Sequence, residues 1–156
     1  MKKPEPIKRT EQLAPLSREH HEALVFLLRL KHGLKNGTST TVMSAYINWF
    51  WTNNLEKHFA QEEALLLPHL DATDEMAMRL TREHQTVRNL ISNEMSQANI
   101  ALFLELLTAH IRFEEREFFP YIEKKISTTQ LNDIFGKLDH LTQCEARWEH
   151  PFWDHR

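Results

Sequence analysis

Apolar residues recur at spacings of three and four along most of the chain, which is the period of helices with one buried face. The first such stretch predicts a helix over residues 18–35, with Ser17 as its N-cap and Asn36-Gly37 as its stop signal. The second predicts a long helix over residues 40–67, because Pro68 cannot continue it. The first part of the chain is therefore predicted to form a helical hairpin.

The following part of the chain repeats this arrangement. A helix capped within residues 71–74 carries apolar positions from Met76 to Met95, and a fourth helix is predicted over residues 100–125. The run Leu16-Ser17-Arg18-Glu19-His20 in the first helix lines up with Leu80-Thr81-Arg82-Glu83-His84 in the third. The chain is therefore expected to contain two similar helical hairpins.

Short connections make neighbouring helices antiparallel, so two hairpins predict an all-α, up-down-up-down four-helix bundle. A shorter extra helix is expected over residues 128–146, followed by an aromatic C-terminal tail over 148–156. The composition agrees, since three glycines, six prolines and 41% hydrophobic residues favour a mostly helical globule. With 156 residues, the chain is expected to form a single domain over 1–156.

One short motif occurs on both long helices of this predicted bundle. Each copy has a histidine, acidic residues four and five positions later, and a proline ten positions later: His58, Glu62, Glu63 and Pro68, then His110, Glu114, Glu115 and Pro120. On an α-helix, residues four apart are separated by about 40° and share a face, whereas residues five apart are separated by about 140°. Each histidine is therefore expected to share a target with the first acid of its copy.

The apolar stripe that should face the core carries this ionisable pair in its middle, twice. Burying a carboxylate without a partner is costly, and a bound cation offsets that cost. His20 and His84 lie early in the other two helices, which places them at the same level in an antiparallel bundle. The candidate metal ligands are thus His20, His58, Glu62, His84, His110 and Glu114. Imidazole and carboxylate donors suit iron, manganese or zinc.

Charge, hydropathy and cysteine content argue against several other classes of protein. The net charge is −3 and there is no basic block, so nucleic acid is not an expected partner. No apolar run approaches membrane-spanning length, and no signal peptide is recognised. The single cysteine, Cys144, excludes an internal disulfide and favours a cytoplasmic location.

These four segments, in this order, resemble the hemerythrin-like (HHE cation-binding) domains over residues 13–125, which leaves 127–156 as the C-terminal section. The resemblance implies a four-helix bundle that holds two iron ions in a non-haem di-iron centre. It also implies that Glu62 and Glu114 bridge the ions. Terminal positions would be filled by His20 and His58 on one ion and by His84 and His110 on the other.

The sequence departs from the oxygen-carrying hemerythrins, which have a second histidine one turn from the first on the third helix. Here the positions one turn from His84 are Leu80 and Arg88. The missing ligand could be replaced by water or by one of three other residues, namely His21, His32 or Tyr46. Glu115 would replace Glu114 only if the helix bulges at the site. Without such a bulge, Glu115 is expected behind the ligands or in solvent, and Glu63 is expected in the same kind of position. Glu19 and Glu83 are expected to lie in the first turns of their helices and to interact with the helix dipole.

Two function classes remain from the sequence. The first is a di-iron protein that binds, senses or handles dioxygen, nitric oxide, peroxide or iron itself. The second is a di-iron redox enzyme, such as an oxidase, a peroxidase or a catalyst related to nitric-oxide or iron–sulfur repair. The more open site favours sensing, redox or small-oxidant chemistry over reversible oxygen carriage. The sequence identifies no catalytic residue.

Overall fold

The computed structural model describes residues 9–138, 148 and 151–153. That part of the chain contains helices and no strand, which confirms the predicted all-α fold. We number five helices in chain order: α1 (Ala14–Lys35), α2 (residues 40–69), α3 (Glu75–Leu90), α4 (residues 97–125) and α5 (Thr128–Lys137).

The two long helices are composite. α2 consists of α-helix Thr40–Phe50, π-helix Trp51–Leu55, α-helix Glu56–Gln61, π-helix Glu62–Leu66 and a final 3-10 turn, Leu67–His69. α4 consists of α-helix Gln97–Phe113, π-helix Glu114–Phe118 and α-helix Phe119–Lys125. Two of the π segments therefore begin at the first acid of each copy of the sequence motif.

The motif prolines account for these two π segments. Proline has no N–H and its ring crowds the carbonyl four residues earlier, so the preceding turn widens. The backbone N–H of Leu67 bonds the Glu62 carbonyl and that of Phe119 bonds the Glu114 carbonyl, in i+5 steps. Contrary to the sequence prediction, α2 continues through Pro68 in its last turn.

Other helix boundaries also differ from the prediction. α1 begins at Ala14, and Ser17 lies inside it, where its hydroxyl donates to Glu115 instead of capping the helix. α3 ends at Leu90, yet Met95 beyond it is still buried in the core. The early start of α1 is possible because Pro15, at the second helical position, is compatible with a helix start.

Contacts between helix ends fit the predicted up-down-up-down order. Ser44, early in α2, accepts from the backbone N–H of Met95, which follows α3. Tyr121 in the last part of α4 donates to Asp74, which caps α3. The Thr10 N–H, just before α1, donates to Glu123 near the end of α4. Each contact joins the beginning of one helix to the end of another.

The buried apolar residues form two clusters. One includes Leu30, Phe50 and Phe103, and the other includes Leu16 and Phe118 together with Leu131 and Ile134 of α5. The polar layer of the candidate site lies between them and is therefore within the core. The second cluster is built from the early start of α1, from the part of α4 that follows Pro120, and from α5.

Three described aromatic residues of the tail pack against the first cluster. Tyr46 contacts the rings of Trp148, Phe152 and Trp153, with centroid separations of 5.1 to 5.3 Å. Gly33 allows this packing, because a Cβ atom there would lie 2.6 Å from the Phe152 ring. α5 ends at Lys137 and does not extend without a break to residue 146 as predicted. Residues 139–146, with Cys144, lie outside the described residues, as do His150 and His155 of the tail.

Among the described helices, none combines the length and the apolar character required to cross a lipid bilayer.

The Asp74 cap gives a prediction for stability. Asp74 accepts from the N–H groups of Met76 and Ala77 and from Tyr121. Burial alone would raise the pKa of Asp74, but these hydrogen bonds outweigh it and lower the pKa. We expect Asp74→Ala to reduce the free energy of unfolding by about 1–2 kcal/mol at pH 7. Urea unfolding of the variant beside Asp71→Ala, an exposed control, measures this.

The pH dependence of that difference follows from the lowered pKa. The ionised carboxylate stabilises the fold above the pKa of the unfolded state, and this contribution is lost as the pH falls through the lower folded pKa. The gap between Asp74→Ala and the unmodified chain should therefore shrink below pH 3.8. A gap that is the same at all pH values would contradict the assigned role of the charge.

Candidate metal centre

The six candidate ligands from the sequence come together within the bundle. They are His20 of α1, His58 and Glu62 of α2, His84 of α3, and His110 and Glu114 of α4. Each of the six residues is at most 4% exposed. Their placement follows from helix periodicity, which puts each histidine–glutamate pair on one face of its helix, and from the packing of the four helices side by side.

These residues form two overlapping groups, each able to hold one metal ion. The candidate ligand atoms lie within 4.8 Å of one another in each group, which are His20, His58, Glu62 and Glu114, and Glu62, His84, His110 and Glu114. Glu62 Oε1 is 3.2 Å from Nε2 of both His58 and His84. Glu114 lies 3.3 Å from His20 Nε2 and 3.6 Å from His84 Nε2. Both carboxylates thus face histidines of both groups.

Most atoms that face the centre of this layer lie close to one another but lack hydrogen-bond partners in the described part of the chain. Both oxygens of Glu62 and of Glu114, and Nε2 of His84 and of His110, have no hydrogen-bond partner in the described part of the chain. His20 Nε2 and His58 Nε2 face each other at 3.0 Å. Unpaired buried polar atoms are costly, and cations at the centre would bind these atoms together. The residues present therefore fit a pair of metal ions.

Each of the four histidines also has one further carboxylate facing its outer nitrogen, Nδ1. Around the bundle, each helix supplies a carboxylate to the histidine of the next: Glu19 to His58, Glu63 to His84, Glu83 to His110 and Glu115 to His20. The Nδ1–O distances are 3.5, 2.8, 2.8 and 3.4 Å in that order. Such contacts orient the rings so that Nε2 points inward. We call these four carboxylates the outer ring.

Arginines hold three members of the outer ring. The guanidinium groups of Arg88, Arg79 and Arg9 contact Glu63, Glu83 and Glu115 at 2.7, 2.8 and 3.2 Å, respectively. Arg9 also donates to the Glu115 carbonyl at 2.6 Å. That carbonyl needs an outside donor because Pro120, five residues later in the π register, has no N–H.

The expectation that Glu19 and Glu83 are first-turn acids is wrong. Glu19 is the sixth residue of α1 and Glu83 the ninth of α3, and both face histidines of the layer. The sequence did hold a signal for this role, because a glutamate directly precedes the histidine in both hairpins. No comparable signal marks the three arginines.

The bulge in α4 leaves Glu114 in the layer. The Glu114 N–H still bonds the His110 carbonyl, so the α-helical spacing persists up to this residue. The widened turn begins at Glu114 and changes the register only after it. Glu114 is fully buried, whereas the Glu115 side chain is 29% exposed and belongs to the outer ring.

Electrostatics in the layer differ from one histidine to another. Burial alone would lower the pKa of His58, but the charges of Glu62 and Glu19 outweigh it and raise the pKa to about 10. Burial would raise the pKa of Glu62, but the interaction with His58 and His84 lowers it. Burial lowers the pKa of His110 to about 4. Without metal, a proton on His58 therefore offsets the buried charge of Glu62.

A model of the hemerythrin HHE cation binding domain matches residues 13–122, which is more than half of the chain. The chain belongs to this hemerythrin family. Family membership and the buried histidine–glutamate groups together indicate a cation-binding protein. No curated protein and no solved structure matches the chain.

In this hemerythrin-like bundle, none of the residues suggested as an extra ligand joins the layer. His21 is exposed, while His32 and Tyr46 are each twelve residues from the histidine on their own helix, which corresponds to about 18 Å. Of the positions one turn from His84, Leu80 is buried in the second apolar cluster. Arg88 instead holds the outer-ring carboxylate of His84.

Two cavities lie along α3 of the hemerythrin-like bundle. The larger, about 660 Å³, lies between α3 and the end of α2 and is lined by none of the six candidate ligands. The smaller, about 200 Å³, lies between α3 and α4 and is lined by His110 and Glu83. Of these two cavities, the smaller one borders the candidate centre.

Proposed function

We propose that this hemerythrin-family chain binds two iron ions. His20 and His58 would hold one ion, His84 and His110 the other, and Glu62 and Glu114 would contact both. The observation that carries this proposal is the pair of four-residue groups that share both buried carboxylates. The unpaired atoms at the centre of the layer give independent support.

Nitrogen and carboxylate donors accept iron, manganese and zinc. We propose iron because the family resemblance implies a di-iron centre, and the metal analysis below distinguishes the three. When bound, an iron pair supplies one-electron redox chemistry and coordination positions for a small ligand. The chain's own residues orient the imidazoles through the outer ring and exclude bulk water by burial of the layer.

The proposed small ligand is dioxygen, nitric oxide or peroxide, and the proposed role is to bind, sense or handle it. A cavity of about 200 Å³ beside His110 has room for a small molecule and not for a bulky substrate. A cytoplasmic setting, expected from the single cysteine, belongs to the same proposal.

Metal analysis of the full chain tests the proposal. The chain is loaded anaerobically with ferrous iron, desalted and analysed for metal, and its absorption spectrum is recorded before and after exposure to air. We expect two iron ions per chain and the near-ultraviolet charge-transfer absorption of an oxidised di-iron centre. Less than one iron per chain and no such absorption would refute the proposal, and bound manganese or zinc would correct the metal.

A redox enzyme is the second candidate. The cavity that reaches His110 and Glu83 gives a small oxidant a place to bind beside the centre. An enzyme predicts repeated turnover of peroxide or nitric oxide by the iron-loaded chain, and loss of this turnover in Glu62→Ala. Oxidation that stops after one equivalent would favour binding or sensing over catalysis.

Acid should release the metal. Binding needs neutral imidazoles and ionised carboxylates, and protons compete for both kinds of ligand as the pH falls. We expect full occupancy at pH 7 and progressive loss below about pH 6.5, where free imidazoles become protonated, with further loss below about pH 4.3, where free carboxylates do. Dialysis of the loaded chain across this range, followed by metal analysis, measures the release. Full retention in strong acid would count against histidine and glutamate ligation.

A further inference from the structure

The outer ring supports the two histidine pairs unequally. Both histidines of the second group have short contacts, since His84 Nδ1 is 2.8 Å from Glu63 and His110 Nδ1 is 2.8 Å from Glu83. The equivalent distances for the first group are 3.4 Å at His20 and 3.5 Å at His58. The short pair has hydrogen-bond length, whereas the long pair exceeds the usual N–H···O range. In the described part of the chain, Nδ1 has no hydrogen-bond partner in His20 or His58.

The carboxylates behind the second group are themselves fixed. Arg88 donates to the Glu63 oxygen that contacts His84, and Arg79 donates to Glu83. Behind His20, Arg9 and Ser17 both bond Oε2 of Glu115 while Oε1 faces the histidine, which is the same division of oxygens as at Glu83, where Arg79 bonds Oε2 and Oε1 faces His110. The difference between the two groups therefore lies in the Nδ1–O distance, which is 2.8 Å at His110 and 3.4 Å at His20.

Ring packing adds to the difference. The His84 ring lies on Phe59 with a centroid separation of 3.9 Å and an interplanar angle of 6°. The His20 ring is stacked less closely on Phe119, at 5.3 Å and 11°. A ring that is already fixed loses little freedom when it binds a metal, and a hydrogen bond at Nδ1 makes Nε2 a better donor.

We propose that the two metal positions are not equivalent. The position at His84 and His110 binds first and more tightly, and the position at His20 and His58 binds second and exchanges more readily. Glu63 and Glu83 are positioning residues of the tight position, since each holds one of its histidines in place. This inference rests on the proposed function, because it requires that the layer binds two metal ions.

The internal repeat supplies a matched pair of variants. Glu83→Gln and Glu19→Gln change equivalent residues, each of which directly precedes a histidine of the layer. Outer-shell substitutions commonly reduce metal affinity about 10–100-fold. Glu83→Gln should therefore weaken the first binding step by about this factor. Glu19→Gln should leave the first step unchanged and have a smaller effect, on the second step alone, because Glu19 makes no hydrogen bond to His58.

Cobalt(II) is a suitable probe because it suits the same donors and has visible absorption bands. The metal-free full chain and both variants are titrated with Co²⁺ by calorimetry and absorption. In parallel, crystals of the unmodified chain with one equivalent of Co²⁺ are examined by anomalous diffraction. We expect two separate binding steps and an anomalous peak beside His84 and His110.

The alternative outcomes separate this inference from the proposed function. Equal peaks at both positions, or a peak beside His20 and His58, would overturn the inference and leave the two-metal proposal intact. No Co²⁺ bound in the layer would refute both. If Glu83→Gln fails to fold, Arg79→Gln removes the partner of Glu83 from a partly exposed position and should weaken the first step selectively. If the variant weakens both metal-binding steps equally, Glu83 has only a structural role.

Discussion

Glu62→Ala is expected to reduce the metal content from two ions per chain to less than one after iron loading. Glu62 contacts His58 and His84, which belong to different groups, so its removal takes a ligand from both positions. Since outer-shell changes alone cost about 10–100-fold in affinity, loss of a shared ligand should cost more than about 100-fold. Metal analysis after desalting measures the change.

The control for this variant is Glu56→Ala. Glu56 is exposed, lies six residues earlier on the same helix and is not part of the layer, so it should retain both ions. Circular dichroism of both variants checks that the helices persist. Full iron content in Glu62→Ala would exclude this residue as a shared ligand and with it the proposed centre.

Removal of the metal should lower the melting temperature of the chain by roughly 8–16 °C. A ligand at a thousand times its dissociation constant stabilises the fold by about 4.1 kcal/mol, and about 1 kcal/mol shifts the melting temperature of a domain of this size by roughly 2–4 °C. The effect is expected because the six ligands converge only in the folded chain and are buried there. Thermal unfolding followed by circular dichroism, with and without a strong chelator, gives the shift.

Glu62→Ala provides the control for this second experiment as well. If the stabilisation comes from the proposed centre, the chelator should change the melting temperature of the unmodified chain and leave that of the variant unchanged. An identical melting temperature for the loaded and chelated chain would contradict a metal centre within the core. Equal shifts in both proteins would place the responsible metal elsewhere.

The internal repeat explains why much of this centre could be predicted. A histidine and a glutamate four residues apart share a helix face whatever the rest of the fold does, so His58 with Glu62 and His110 with Glu114 follow from local geometry. The shared level of His20 and His84 follows from short connections, which make neighbouring helices antiparallel. The matches over four ordered segments also predicted the family, which the comparison confirmed.

The pairing of carboxylates and histidines in the outer ring does not follow from the periodicity of single helices. Glu19 faces a histidine 39 positions later in the chain, and Glu115 faces one 95 positions earlier. Which helix faces which neighbour, and at what rotation, depends on packing between helices and not on the periodicity of either one. Periodicity alone therefore predicts first-turn positions for Glu19 and Glu83, although both face histidines of the layer.

The sequence by itself determined the helical class, the family and the six residues that share one level, because these depend on spacing within helices and on their order. Tertiary structure decided the cyclic pairing of carboxylates with histidines, the arginines behind them and the place of the layer between two apolar clusters. It also decided that the aromatic tail covers Tyr46. These features join residues distant in sequence, and their contacts depend on helix rotation and side-chain packing that no local pattern encodes.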